Sequence, residues 1–547
     1  MTRRRVLLLV LVLAVVARLA NLSVMLRLPV AEYQRTWGEG DMATAWEWSG
    51  RIGSGDRLGR DTPHQYTSWM QEIAPRETWE RWWGGRGVFH QAPLYAYVLA
   101  AMRWVVGDGI WAIGLCHLGL GLVNVCLITL LADRMFGRLA ALVAGLGAAL
   151  YGPFMLFETF LLRDTLAVTT ALLLLVMLSG ADGARRWHWF AAGAFFALAV
   201  LARETTLLFA PFVVLWVVQR FGPRPAVCAT VLLSFGLGAL VVFLPLVARN
   251  LVVGVVPWAL STRGAEAFIA GHAAGGSPFG YALPPAFRSV LEASGGRLGP
   301  AIRLTLATYD GHWGQLLAHE VAKLGAVVSR YEAMDNVNWY YFADRSPMLA
   351  WSLRWNLVLA FGLVGLWTSE RRGDDRILAY FLLATLAGLM YATVIGRFRL
   401  VPAAVLLVYA GGAVAWMVRQ VGARHWGAAA CAGAAVVALI GLSAGVLAGV
   451  EARQRYRAAE FFMAAKYEYE HAERAAALDE LRAGLATAYR GPEQRTVPVD
   501  YVQLLQPLVV VAYELGRDAE ARAELERLAH DYPADPTLRG MLAGPGK

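Results

Sequence analysis

Lysine is nearly missing from this chain. Of 547 residues only Lys323, Lys466 and Lys547 are lysines, although Lys and Arg together number 50. The positive charge is therefore carried by guanidinium groups, and these are scattered through short loops. A nucleic-acid surface would gather them on one face, so the net charge of +9 does not argue for nucleic acid. Charged residues are scarce as a whole, at 17%, against about a quarter in soluble domains. That excludes an ordinary soluble enzyme of this length. Cysteine is limited to Cys116, Cys126, Cys228 and Cys431, each inside an apolar run. Such placement offers neither a disulfide framework nor zinc-ligand spacing. Walker and dinucleotide glycine signatures are also missing, which leaves no soluble-nucleotide site of those kinds.

Apolar residues are plentiful instead, at 57%, with a mean hydropathy of +0.46. They come in blocks of about 20, the length that crosses ~30 Å of hydrocarbon as a helix. The reading is an all-α polytopic membrane protein with eleven spans. These fall near 5–25, 110–131, 138–156, 165–181, 187–202, 205–219, 226–248, 349–368, 376–395, 400–417 and 426–449. The basic and apolar start "MTRRRVLLLVLVLAVVARLA" lacks a small-residue cleavage site, so it reads as the first span and not as a leader.

Arg3, Arg4 and Arg5 place the N-terminus in the cytoplasm of a cell membrane. Alternate loops then carry Arg134 and Arg138, Arg185 and Arg186, Arg220 and Arg224, Arg371, Arg372 and Arg376, and Arg419 and Arg424. All fit the excess of arginine expected of cytoplasmic loops. The segment 92–107 is short for a crossing and contains Arg103, so it reads as a juxtamembrane or re-entrant helix. The outer face then holds the loops 26–91 and 249–348, and everything after about residue 450. The division is a membrane domain, 1–450, and a helical extracytoplasmic tail, 451–547. The tail alternates small and apolar residues at helical spacing and resembles a tetratricopeptide repeat, a shape able to recruit a protein partner.

On that outer face, acids and arginines recur at the edges of spans. Asp41 begins the amphipathic run "DMATAWEWSGRI", where a carboxylate can also serve as a helix cap. Glu158 and Asp164 flank "TFLLR", Arg203 and Glu204 are adjacent, and Arg249 and His272 follow. Arg397 and Arg399 sit in "GRFR", ahead of Val401-Pro402. The residue before a proline avoids helical dihedrals, so "GRFR" is expected to be extended, with at least one arginine turned to the site. Carboxylates can orient or deprotonate a nucleophile. Arginine forks grip phosphate oxygens. Together they suit glycosyl transfer from a phosphate leaving group, which outside the cell would be carried on a lipid.

Five segments in order, "GEGDMATAWEWSGRIGSGDRLG" with "VFHQAPLYAY", "YGPFMLFETFLLRDTL", "ALAVLARETTLLFAP", "PLVARNLVVGVVPWALSTRG" and "GRFRLVPAAVLLVYAG", resemble the C-type glycosyltransferase fold. Specifically, they resemble glycosyltransferase family 39, which holds the protein O-mannosyltransferases and aminoarabinose transferase-like enzymes. The resemblance implies a polyprenyl-phosphate sugar donor and a protein, lipid or glycan acceptor. By the same resemblance Asp41 is the first-loop acid, as general base or acceptor-orienting group. Asp164 is the second acid, with Glu158 its neighbour. Arg397 and Arg399 lie near the donor phosphate, with Arg203 and Arg249 the next candidates, and Glu204 and His272 belong to the same face. The pairs Arg163-Asp164 and Arg203-Glu204 depart from the family pattern, as does the inserted stretch 64–85, which leaves sugar and acceptor open. Asp41 and Asp164 could hold one divalent metal ion, though nothing in the sequence demands it. Two other classes share parts of the pattern: a transporter or flippase for a lipid-linked sugar, and a non-catalytic envelope assembly protein. Transporters place their polar sites near the midplane, whereas these residues cluster on one face.

Overall fold

A computed structural model describes residues 2–38, 40–180, 183, 185–280, 282–369, 375–488 and 499–542. Arg371 and Arg372 lie outside these. Among the described residues the chain is all helix, with only two isolated bridges, Tyr151 to Leu353 and Phe279 to Val394. Each of the eleven apolar segments coincides with a helix. Six helices are long and apolar enough to cross a membrane: Arg3–Met25, Ile110–Phe136, Glu204–Phe221, Pro225–Val253, Gly396–Gly422 and Trp426–Gly445. Shorter apolar helices, among them Arg138–Leu150, Asp164–Ser179, Arg186–Ala202 and Trp355–Thr368, complete the bundle. Leu233, Leu237, Leu240 and Leu244 stand exposed along one helix. An apolar face of that length is stable only against lipid.

Close helix crossings hold the bundle together. A Cβ on Gly193 would lie 1.9 Å from the Phe235 carbonyl oxygen, and one on Gly238 the same distance from that of Phe190. The helices Arg186–Ala202 and Pro225–Val253 therefore touch backbone to backbone, as small residues permit inside membranes.

Two amphipathic helices, Asp41–Gly53 and Leu94–Val106, pack against each other outside this core. Arg103 clamps them, donating to the Trp46 carbonyl and the Ser49 hydroxyl at 2.8 Å each while its guanidinium lies 3.7 Å over the Trp46 ring. In the tail, Ala458–Glu470 packs on Arg474–Ala488, and Val499–Glu514 on Asp518–Asp531. Polar contacts tie it to the rest: the Tyr33 hydroxyl donates to Glu470 at 3.2 Å, and both Arg345 and the Tyr341 hydroxyl donate to Glu480 at 2.7 Å.

The structure corrects one local expectation. "GRFR" is a 3-10 turn, Gly396–Arg399, closed by the Phe398 N–H donating to the Ile395 carbonyl at 3.1 Å. The extended residue is Ile395. Pro402 sits in the first turn of the helix Leu400–Gly422, where its missing N–H has no intrahelical partner to lose. The helix therefore begins before the proline, and Val401 is drawn into it against the local bias.

Candidate active site

The 3-10 turn sends its two arginines to different environments. The Arg397 guanidinium lies among three carboxylates, 2.6 Å from Asp41, 2.5 Å from Asp335 and 3.6 Å from Asp164. Arg399 instead donates to the backbone carbonyls of Tyr331 and Ala326, with Glu332 3.8 Å away. It is a buried clamp between loop and helix.

Asp41 is the first residue of its helix, but its carboxylate does not cap it. One oxygen accepts from Gln91 at 2.7 Å; the other accepts from Asn336 at 2.9 Å and from Arg397. The Asp41 N–H in turn donates to the Asn336 side-chain oxygen at 2.7 Å. Burial alone would raise the Asp41 pKa, but Arg397, Arg263 and Arg163 together hold it below the usual carboxylate range. The group is an anion at any working pH, fixed in direction by three hydrogen bonds to its oxygens.

Asp164 opens the helix Asp164–Ser179 and accepts from Arg203 at 2.8 Å, while its other carboxylate oxygen has no hydrogen-bond partner. The neighbouring pair runs the other way. Arg163 meets Glu204 at 3.1 Å, and Glu204 also accepts the Ala92 N–H at 2.8 Å. Arg203 lies 4.2 Å over the Phe398 ring. Asp41, Asp164, Arg203, Glu204 and Arg397 are thus drawn together from four separate stretches of sequence.

Asp41 and Arg397 face a cavity of about 290 Å³, whose walls also include Arg163, Arg263, Asp335 and Asn336; Asp164, Arg203 and Glu204 stand behind that wall. Phe398 lines this cavity and also a narrow cleft beside Arg203, formed by Phe209, Phe381, Leu389 and Val401. A charged chamber and a small slot of mixed lining, with Arg203, Thr205, Thr206 and Thr385 beside its apolar residues, therefore share one wall.

Four candidates fall elsewhere. Glu158 is buried against Arg18 of the first helix at 2.8 Å, and Arg18 also donates to the Ala149 carbonyl at 3.0 Å. Gly121 makes room for that carboxylate, since a Cβ there would come within 2.3 Å of it. Arg249 donates to the Leu58 carbonyl at 2.6 Å and to that of Gly59, and lies 3.8 Å over Phe89. His272 stacks on Phe268 at 4.2 Å beside Lys323, 3.3 Å away. Burial and the Lys323 ammonium lower its pKa to about 4, so it is neutral. Arg399, as described, faces backbone carbonyls.

Sequence reading missed Asp335, Asn336, Arg263 and Gln91. The one local signal was the acid–amide pair inside the aromatic stretch "EAMDNVNWYYF". A divalent ion fits this donor set poorly. The Arg397 guanidinium already stands between Asp41, Asp335 and Asp164, and among the described residues no group of three His, Cys, Asp or Glu side chains is disposed to hold a metal.

Residues 90–248 match the profile of the family described as dolichyl-phosphate-mannose-protein mannosyltransferase. The resemblance read from the sequence holds there, and the chain is a multi-pass membrane protein. The family segment contains Gln91, Arg163, Asp164, Arg203 and Glu204, whereas Asp41, Asp335 and Arg397 lie on its two flanks.

Solved structures of similar shape include an oligosaccharyltransferase from Archaeoglobus fulgidus in complex with Zn and sulfate, at 15% identity and a TM-score of 0.43. That match covers 91% of this chain and 61% of the archaeal one. The Archaeoglobus fulgidus oligosaccharyltransferase AglB with an inhibitory peptide and a dolichol-phosphate matches at 15% identity and a TM-score of 0.41, covering 92% and 63%. ArnT from Cupriavidus metallidurans bound to undecaprenyl phosphate matches at 17% and 0.30, covering 81% and 71%. The chain spans less than two thirds of the archaeal structures. No curated protein matches it significantly.

Proposed function

We propose that this protein transfers a sugar from a polyprenyl-phosphate donor to a protein, lipid or glycan acceptor at the outer face of the cell membrane. The observation that carries the reading is a fixed, ionised carboxylate, Asp41, opening on a cavity whose walls also carry arginines. The cavity, of about 290 Å³, takes the sugar. Arg203 and Arg163 take the phosphate. Of the arginines named from sequence this keeps Arg203, and it adds Arg163 from the cavity wall; Arg397 stands among three carboxylates, and Arg399 and Arg249 hold backbone carbonyls.

Asp41 accepts a hydrogen bond from the incoming acceptor group and orients it. The bond between the anomeric carbon and the phosphate oxygen breaks, the bond to the acceptor atom forms, and the acceptor's proton passes to Asp41. A carboxylate with a lowered pKa is a weak base. It serves here because the proton becomes acidic only as the new bond forms on an electron-poor anomeric centre. The departing phosphate needs no proton, and the guanidinium groups offset its charge.

In this reading the N-terminus is cytoplasmic and the tail extracytoplasmic. The paired helices of the tail support its tetratricopeptide-like description and a role in holding a protein partner. The test is turnover by the full-length protein in nanodiscs of undecaprenyl-phosphate hexoses labelled in the sugar, with envelope extract as acceptor source. Appearance of undecaprenyl phosphate with transfer of label is expected. Donors that bind but are never cleaved would leave a lipid-sugar transporter as the better account.

A further inference from the structure

The inserted stretch 64–85 lies just outside the mannosyltransferase-family segment, yet three of its residues, Gln65, Thr67 and Trp69, line the same cavity as Asp41. The stretch is rigidly built. The Trp79 indole N–H donates to the Met70 carbonyl at 2.9 Å, the Tyr66 hydroxyl to the Ala74 carbonyl at 3.0 Å, and the Trp83 indole N–H to Glu266 at 3.0 Å. Trp69 stands edge-on against Trp79 and Phe287, with ring centroids 5.8 and 6.0 Å away. A large aromatic surface is thus pinned at the cavity wall.

Thr67 adds the second observation. It precedes the helix Ser68–Ile73, where a threonine ordinarily bonds to a helix N–H, but its hydroxyl makes no such bond. That oxygen is buried and has no hydrogen-bond partner, and Thr67 as a whole is 4% exposed. Leaving a buried hydroxyl unsatisfied is costly, so such a group at a cavity wall points to a ligand that completes it.

We propose that Gln65, Thr67 and Trp69 form a subsite for a neutral pyranose ring. The argument is chemical. Arginines and acids on the other walls suit phosphate and the reacting atoms, whereas a neutral amide, a hydroxyl and an indole suit hydroxyl groups and the apolar C–H face of a sugar. The ring has two possible sources, the donor sugar or an acceptor glycan. The proposal rests on the glycosyl-transfer reading.

Binding to the full-length protein in nanodiscs separates these cases. Probes are undecaprenyl-phosphate mannose, glucose and galactose, bare undecaprenyl phosphate, and free mannotriose. Thr67→Val and Trp69→Leu are compared with the wild type, and Thr67→Ser with thermal unfolding serves as the fold control. If the subsite holds the donor sugar, both variants weaken one or more sugar-bearing lipids about tenfold, Thr67→Ser recovers it, and bare lipid is unaffected. If it holds an acceptor glycan, mannotriose binding falls instead and donor binding is unchanged. Unchanged affinity for every probe in folded variants overturns the proposal. Failure of the wild type to bind any sugar-bearing lipid more tightly than bare lipid overturns the function reading beneath it.

Discussion

Arg18 and Arg397 are both buried against carboxylates, but the two sites differ in what they leave over. Arg18 meets Glu158 and the Ala148 and Ala149 carbonyls inside the bundle, and neither charged side chain lines the chamber that Asp41 faces. Arg397 gathers Asp41, Asp335 and Asp164 at the edge of a chamber large enough for a ligand. Identical residue types therefore serve as a staple between helices in one place and as a mount for a carboxylate at a cavity wall in the other. Residue type and membrane depth do not separate the two roles; access does.

The largest expected effect strikes the closed site. Arg18→Met leaves Glu158 buried without its partner and should cost about 3–5 kcal/mol of stability, read from denaturant unfolding in detergent. The double change Arg18→Met with Glu158→Leu removes both charges and should recover most of that loss. If the double variant is as unstable as the single one, the pair is more than a staple.

A smaller effect belongs to the junction between cavity and slot. Arg203→Lys keeps the charge but loses the planar fork that can meet Asp164 and a phosphate together. Donor kcat/KM should fall about tenfold with little change in stability, because a lysine can still pair with Asp164. The corresponding change at Arg249, which holds the Leu58 and Gly59 carbonyls, the Asn250 side chain and the Phe89 ring and does not line the cavity, should leave donor use near normal.

The smallest effect is an absence. The pKa of Asp41 lies lower in the folded protein than in the unfolded chain. Its charge therefore adds stability at every pH above the unfolded value of about 3.9, and that contribution is lost only as pH falls through the lowered folded value. Turnover between about pH 5 and 8 should show no acid limb from this residue. An acid limb that disappears in Asp41→Asn would mean that the carboxylate is not held as an anion.

Much of the bundle could be read from sequence because helix formation in a membrane depends on long local apolar runs. All eleven segments fall on helices for that reason. The drawing together of Asp164, Arg203, Glu204 and Arg397 was legible too, since each sits at the end of such a run, and Asp41 was marked by the amphipathic helix it begins. Asp335 was not, because it lies in an irregular loop nearly 300 positions from Asp41 and only tertiary folding joins them. The same limit misdirected the reading of Glu158. Six residues from Asp164 and equally close to the apolar run, it turns inward because Gly121 leaves a pocket and Arg18 waits there. "GRFR" went astray for a narrower reason: proline is tolerated in a first helical turn, and the helix overrode the bias on Val401.

The most direct test sets the two kinds of site side by side. Turnover of labelled undecaprenyl-phosphate hexose is measured for Asp41→Asn and Glu158→Gln, with donor affinity determined for each. Asp41→Asn should lose about 10²–10⁴-fold in turnover while still binding donor, because the amide keeps the shape but cannot accept the proton. Glu158→Gln should stay within about threefold of wild type, since Glu158 is buried against Arg18 and does not line the chamber that Asp41 faces. Near-normal turnover by Asp41→Asn, or an equal loss in a folded Glu158→Gln, would contradict the account.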